Sequence, residues 1–231
     1  MQNSEIRRAD IMTLTNSTGK SRSQQRSAVW RNCVVALIDL AGTKRETAKG
    51  DGRGSTLMRK FHKLVVGALR ERNHIEDAYV WNDSVLLLAY VTGGPEEYES
   101  LFQELDVLKQ QIGALTKCYG IAVKGQAFPR DNPHLPSHVT IIRASSYAMA
   151  NCFAIEQAAR AKRRRGDWYI DARIIRHLRL LAPEQDTFTV TMLPSGRSRR
   201  VYVHYGPLCA LSTADRNLPS RPTRRRRARG T

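Results

Sequence analysis

The run "CVVALIDL", Cys33 to Leu40, restricts the fold more than any other stretch of the chain. Side chains on a strand point alternately to its two faces. Here both alternating sets are apolar, the pattern of a strand buried on both sides within a sheet. Asp39 then breaks the run where burial should forbid a carboxylate. Leaving such a group unpaired costs on the order of several kcal/mol, so an Arg, a Lys or a metal ion must offset it.

A second apolar run, "DAYVWNDSVLLLAY" (Asp77 to Tyr90), also carries one carboxylate out of place. Asn82-Asp83 splits it into two strand-forming halves and reads as a tight hairpin, although the favoured Gly is missing. Between the two runs lies a polar, Gly-rich loop, "AGTKRETAKGDGRGS". After Ser55 comes a helix on which Leu57, Phe61, Leu64, Val65 and Leu69 recur at helical spacing. Beyond "TGGPEE" a long amphipathic helix is expected over about 96–116, its Pro-Glu-Glu start suited to a helix N-terminus. "CYGIAVKGQAF" reads as a strand, and "PRDNPHLPSH", with its prolines, as a loop. "SSYAMANCFAIEQAARAKRR" is a strong helix and "DWYID" a short strand. "ARIIRHLRLL" precedes a β pair, "TFTVTML" and "RRVYVHY". The order fits an α+β, ferredoxin-like layout: helices cover one face of a mostly antiparallel sheet. In it the first strand and the hairpin are central neighbours, which lets Asp39 and Asp83 converge.

Size and charge set the outer limits. The 231 residues allow one ordinary domain plus tails. We expect an N-terminal segment over 1–27, a folded domain over 28–205 and a tail over 206–231. No stretch approaches the roughly 20 apolar residues of a membrane span, no secretion signal opens the sequence, and the chain reads as cytoplasmic. The four cysteines are far apart, so neither structural zinc nor a disulfide framework is expected. Of the net charge of +17, the first segment holds +3, the tail +6 and the domain +8. The tail "RNLPSRPTRRRRARGT" has almost nothing to bury and should be disordered. It suits either solubility or non-specific nucleic-acid contact. A basic domain also suits a polyanionic substrate such as a nucleoside triphosphate.

Two carboxylates converging beside the turn Ala41-Gly42-Thr43 make a hard-cation site with room for phosphates. Oxygen ligands of this kind suit Mg²⁺ or Mn²⁺. Asp83 alone is explained by turn chemistry; Asp39, within an apolar strand, is not.

These residues resemble a known family. "VVALIDLAGTK" is similar to the first metal-binding strand of class III nucleotide cyclases, and "VWNDSVLLLAY" to their second metal-binding hairpin. "YGIAVKGQAF" and "SSYAMANCFAIEQA" are similar to later segments, so the resemblance spans about residues 30–175. Within the group the sequence looks most like the bacterial pyrimidine cyclases of the Pycsar antiphage systems, which make cyclic UMP or cyclic CMP as an alarm signal. The resemblance implies that Asp39 and Asp83 hold two Mn²⁺ or Mg²⁺ ions with help from the Leu40 carbonyl. It implies that Ala41, Gly42 and Thr43, with Lys44, hold the β- and γ-phosphates. It also implies a head-to-tail homodimer acting on a nucleoside triphosphate, UTP favoured over CTP.

The departures concern base and transition state. Tyr79 stands where purine cyclases carry a base-reading Lys, and Arg143 where they carry its acidic partner. Either residue has a plainer reading, Tyr79 as sheet packing and Arg143 as a surface ion pair. Ser146 takes the place of the Gly opening the late helix. The family's transition-state Asn and Arg fall at Ala150 and Ala154, while Asn151 is one position off, a rotation of about 100°. Arg160 or Lys162 could take the role, although Glu156 and Arg160 read more simply as a helix surface pair. Two other readings compete: a basic nucleic-acid-binding protein on a ferredoxin-like fold, with Tyr79, Trp81 and Tyr90 as stacking aromatics, and a cyclase-like domain that binds nucleotide without turnover.

Overall fold

The computed structural model describes residues 30–70, 72–127, 146–178, 180–181 and 185–210. The expected N-terminal segment, most of the tail and Arg143 lie outside them. The elements run β1 (Arg31–Leu40), α1 (Thr43–Ala48), α2 (Asp51–Leu69), β2 (Asp77–Trp81), β3 (Ser84–Tyr90), α3 (Pro95–Gly113) and β4 (Cys118–Ala127). Then follow α4 (Ser146–Ala161), β5 (Trp168–Asp171), α5 (Ala172–Ile175), β6 (Leu180–Leu181), β7 (Gln185–Met192), β8 (Arg197–His204) and β9 (Cys209–Ala210).

Seven strands form one sheet in the order β2-β3-β1-β4-β5-β8-β7, while β6 and β9 pair separately. Neighbours in the large sheet are antiparallel except β4 and β5, which run parallel. This is the expected mixed α+β architecture, with β1 and the β2–β3 hairpin adjacent. The helices do not all lie on one face, however. Val34, Ala36, Ile38 and Leu40 pack with Phe61 and Val65 of α2 and with Tyr98, Leu101 and Leu105 of α3. Cys33, Val35 and Leu37 point the other way and pack with Cys152, Ile155 and Ala159 of α4. The reason is written in β1 itself: a strand apolar on both faces needs a cover on both. Each of its buried aliphatic side chains contributes about 2 kcal/mol.

The Gly-rich loop after β1 is also more regular than expected. Gly42, at φ 85°, makes the turn, and α1 begins at Thr43. A second Gly, Gly50 at φ 132°, separates α1 from α2, which starts at Asp51 and not after Ser55. Helix-compatible Lys, Arg, Glu and Ala fill the interval between the two breaks. In the hairpin, Asn82 at φ 34° supplies the left-handed residue that the missing Gly would have given. Past residue 205, the start expected for the tail, hydrogen-bonded structure continues. The Gly206 amide donates to Asp167, the Leu208 amide to Asp106, and β9 pairs with β6. Cys33, Cys118 and Cys152 are free thiols. Among the described residues no helix is long and apolar enough to cross a membrane.

Candidate functional site

Asp39 lies opposite Ser84 in the β1–β3 ladder, so Asp83 is the next residue beyond its partner. The Leu40 amide donates to the Asp83 carbonyl at 2.9 Å and ties the hairpin tip to the end of β1. The two aspartates are therefore neighbours at one end of the sheet.

Each carboxylate is held by hydroxyls. Asp39 is only 7% exposed; it accepts from the Ser84 hydroxyl at Oδ1 and from the Tyr119 hydroxyl at Oδ2, 2.6 Å away. Asp83 accepts from the hydroxyl of Thr43, which is buried at the first position of α1. Tyr119 lies directly opposite Asp39 on β4, and its hydroxyl is also 2.7 Å from Oε1 of Glu156 on α4. A phenol has one hydrogen, so both contacts are attractive only while one of the carboxyl groups carries a proton. Asp39 holds a proton more tightly than an ordinary carboxyl group does. Burial raises its pKa above the ordinary value, the Ser84 and Tyr119 hydroxyls oppose that shift, and the charges of Asp83 and Glu156 reinforce it.

Arg160, one turn after Glu156, pairs with that residue, donates to the Tyr119 oxygen at 3.2 Å and comes within 3.6 Å of Asp39 Oδ2. Its side chain is 65% exposed, so it is a solvent-screened partner of Asp39 and not a buried counter-ion. The expected Glu156–Arg160 pair forms on α4, and it also reaches the site through Tyr119 and Asp39. Tyr119 carries no signal of a site residue in the sequence and Glu156 only that of a helix pair, because the β1–β4 register and the seating of α4 alone bring them to Asp39.

The other expected residues divide. Ala41 and Lys44 are exposed at the turn, and the Ala41 amide is committed to the Lys117 carbonyl at 2.7 Å. Tyr79 stands opposite Leu86 on β2, half-buried on the face that holds Asp39. Lys162 places its ammonium over the Phe188 ring, 5.3 Å from the centroid, and serves the β7 side. Ala154, partly buried on α4, packs against the core beneath that helix. Asn151 is a structural clamp: its side-chain amide donates to the Leu193 carbonyl at 3.1 Å, and its oxygen accepts from the Leu193 amide at 2.9 Å. With Asn151→Ala the β7–β8 turn should lose both anchors, at about 2 kcal/mol. Thermal unfolding should shift down while activity per folded molecule stays unchanged; a selective loss of activity would assign Asn151 to the chemistry instead.

Beside Tyr119 and Arg160 opens a cavity of about 770 Å³. Lys109, Lys117, Arg160, Arg164 and Arg165 line it against Glu156 and Asp167. Lys109 is 3.6 Å from Asp167, and Arg164 pairs with Asp186 on β7. The balance remains cationic, which favours an anionic occupant beside Tyr119 and Arg160, the partners of Asp39.

Among the described residues no group of three or more His, Cys, Asp or Glu side chains is arranged to hold a metal ion. The donor set nonetheless fits Mg²⁺ or Mn²⁺. Those ions are commonly held by one or two carboxylates, with substrate phosphates and water completing the shell. Crowding of Asp39 by two further carboxylates gives a cation something to neutralise.

No protein-family model matches the chain, and no curated protein matches it. Solved structures do. The guanylyl cyclase Cya2 superimposes with a TM-score of 0.54 at 12% identity, covering 78% of this chain and 94% of that one. A bacterial light-regulated adenylyl cyclase gives 0.52 at 9% identity, with coverages of 76% and 91%. The non-canonical dimeric guanylyl cyclase domain of the RhoGC fusion protein from the aquatic fungus Blastocladiella emersonii gives 0.52 at 10%, with 75% and 96%. At such identities the likeness is one of fold alone: the chain folds like these guanylyl and adenylyl cyclase domains.

Proposed function

We propose that the protein is a metal-dependent pyrimidine nucleotide cyclase, converting UTP, or CTP, to the 3′,5′-cyclic nucleotide and pyrophosphate. The observation that carries the reading is the meeting of Asp39 and Asp83 at one end of a cyclase-type sheet, beside a cationic cavity. Asp39 and Asp83 would hold divalent cations there, whose chemistry would be to lower the pKa of the substrate 3′-hydroxyl and neutralise the leaving pyrophosphate.

The chain's own residues then have separable tasks. Asp39 and Asp83, with the Leu40 carbonyl, would hold the ions. Ala41's amide is already used, so the turn meets the β- and γ-phosphates through Gly42, Thr43 and Lys44. No side chain caps the N-terminus of α1 at that point. The 3′-oxygen forms its bond to the α-phosphorus as the α–β bridging bond breaks, so positioning and electrostatics do most of the work. Arg160 is the cation best placed to meet charge developing beside Asp39. Tyr79, bulkier than a base-reading lysine at the aromatic ring, leaves room for a single-ring base, and Arg143 would donate to it. A homodimer and a role as an alarm signal in bacterial antiphage defence complete the proposal, on the resemblance to the Pycsar cyclases.

Incubation with each of the four ribonucleoside triphosphates and Mn²⁺, followed by detection of pyrophosphate and cyclic product, tests it. A pyrimidine product is expected. Arg160→Ala should cut the rate about a hundredfold, the usual loss for one charge-stabilising donor. Metal-dependent triphosphate binding with no product would make the domain a nucleotide binder. Metal-independent oligonucleotide binding with a steep salt dependence would make it a nucleic-acid-binding protein.

A further inference from the structure

Asp39 accepts a hydrogen bond at each carboxylate oxygen, from Ser84 at Oδ1 and from Tyr119 at Oδ2. Both donors come from its own sheet neighbours. Ser84 is the residue opposite on β3, and Tyr119 the residue opposite on β4. A serine hydroxyl swings about one short bond. The tyrosine hydroxyl sits at the tip of a ring and goes only where the ring puts it.

That ring has little freedom. It packs on the core beneath α4 and meets Tyr169 edge-on, with centroids 6.1 Å apart and planes at 88°. Tyr169 is itself buried and meets Phe188 edge-on. A tyrosine has two side-chain torsions to set, so the strand register and this packing together fix the hydroxyl.

The hydroxyl also joins Asp39 to α4. It stands 2.6 Å from Asp39 Oδ2, 2.7 Å from Glu156 Oε1 and 3.2 Å from the Arg160 guanidinium. With both carboxyl groups ionised, its single hydrogen can serve only one of them. Glu156 has another donor, Arg160 at 2.5 Å. The same guanidinium is 3.6 Å from Asp39, beyond hydrogen-bond length. Arg160 therefore satisfies Glu156 and leaves the phenol hydrogen to Asp39.

A metal-binding carboxylate depends on how it is aimed. Partners that hold such ligands by hydrogen bonds are commonly worth about ten- to a hundredfold in metal affinity. A carboxylate oxygen has two lone pairs, so Oδ2 can take the phenol hydrogen on one and a cation on the other. We infer that Tyr119 is a positioning residue of the metal site, its hydroxyl aiming the Asp39 carboxylate at a divalent cation. This role presupposes Asp39 as a metal ligand, and it needs no turnover to show itself.

Tyr119→Phe removes the hydroxyl and keeps the ring. Titration of the full chain with Mn²⁺, read from the electron paramagnetic resonance of the free ion, measures metal affinity without substrate. Tyr119→Phe should bind Mn²⁺ about ten- to a hundredfold more weakly than the parent. Tyr169→Phe is the control. Its hydroxyl also has two partners, the Gly166 amide and the Arg164 carbonyl at 3.1 Å each, both in the connection between α4 and β5. Losing it should lower the melting temperature and leave Mn²⁺ affinity at the parental value. In the cyclase assay, Tyr119→Phe should raise the Mn²⁺ concentration for half-maximal rate by the factor seen in binding. At saturating Mn²⁺ its rate should stay within about threefold of the parent, the split expected of a lost binding contact.

Parental Mn²⁺ affinity in Tyr119→Phe, or an equal loss in Tyr169→Phe, would overturn the role of Tyr119 and leave the cyclase reading standing. A rate deficit that persists at saturating Mn²⁺ would overturn positioning in favour of a part in the chemical step. A parent chain that takes up no Mn²⁺ would overturn both readings. Weakened binding in Tyr119→Phe alone, without cyclic product from the parent, would sustain Tyr119 and sink only the turnover.

Discussion

Replacing Asp83 by Asn is expected to lower cyclic-nucleotide formation about a thousandfold. One lost metal-binding carboxylate removes several kcal/mol of transition-state stabilisation, and each 1.36 kcal/mol is a factor of ten. The fold should survive, because Asn can still accept from the Thr43 hydroxyl. Asp39→Asn should be as inactive and add a signature of its own. Burial holds the Asp39 pKa above the ordinary carboxylate value, so the folded state binds that proton more tightly than the unfolded chain does. The metal-free fold therefore loses stability as pH rises from the ordinary carboxylate range through the folded-state pKa. Asn has no charge to desolvate. In a chelating buffer at pH 7 the Asp39→Asn protein should melt above the parent, and at pH 3 the difference should vanish. Added Mn²⁺ should raise the melting temperature of the parent and leave the variant unmoved. If Asp39→Asn melts lower than the parent in chelator and responds to Mn²⁺ as the parent does, the two aspartates are structural and the cyclase reading falls.

The sequence made the position of the site readable because its two signals are local. An apolar strand ending in Asp39 and a hairpin tipped by Asp83 are patterns within one element each, and adjacency in a sheet follows from them. The surroundings of Asp39 are not local. Tyr119 meets it across 80 residues of chain through the β1–β4 register, and Glu156 arrives only because α4 seats on that face. That seating was itself implied by the two-faced apolar pattern of β1, which demands a second cover without saying which helix supplies it. Thr43 illustrates a different limit. In a stretch dominated by Gly and charge, a six-residue helix has little intrinsic stability, and contact with Asp83 from another element helps to hold its start in place. Asn151 shows the reverse error: spacing near a family position drew attention to a residue whose buried amide is fully occupied by a turn.

Gly120→Ala should give the largest loss of stability among single methyl additions. A Cβ at this position would lie 2.3 Å from Cζ3 and 2.4 Å from Cε3 of Trp168, far inside van der Waals contact. Trp168 has nowhere to retreat. It is fully buried, and its indole N–H donates to Asp106 Oδ1 at 2.8 Å. Asp106 in turn accepts from Gln110 and from the Leu208 amide, so moving the indole disturbs the carboxylate that pins the chain after β8. The backbone cannot give way cheaply either, because the Gly120 amide donates to the Asp167 carbonyl at 2.8 Å and Gly120 pairs with Trp168 in the parallel β4–β5 ladder. That ladder joins the half of the sheet bearing Asp39 and Asp83 to the half built from β5, β8 and β7. Overpacking costs about 3 kcal/mol at such a site, or roughly 6–12 °C in melting temperature for a domain of this size. Thermal unfolding of the variant measures it. A shift below about 2 °C, less than 1 kcal/mol on that scale, would mean that the two halves of the sheet do not meet through Gly120 and Trp168. The register that sets Tyr119 opposite Asp39 would then lose its support.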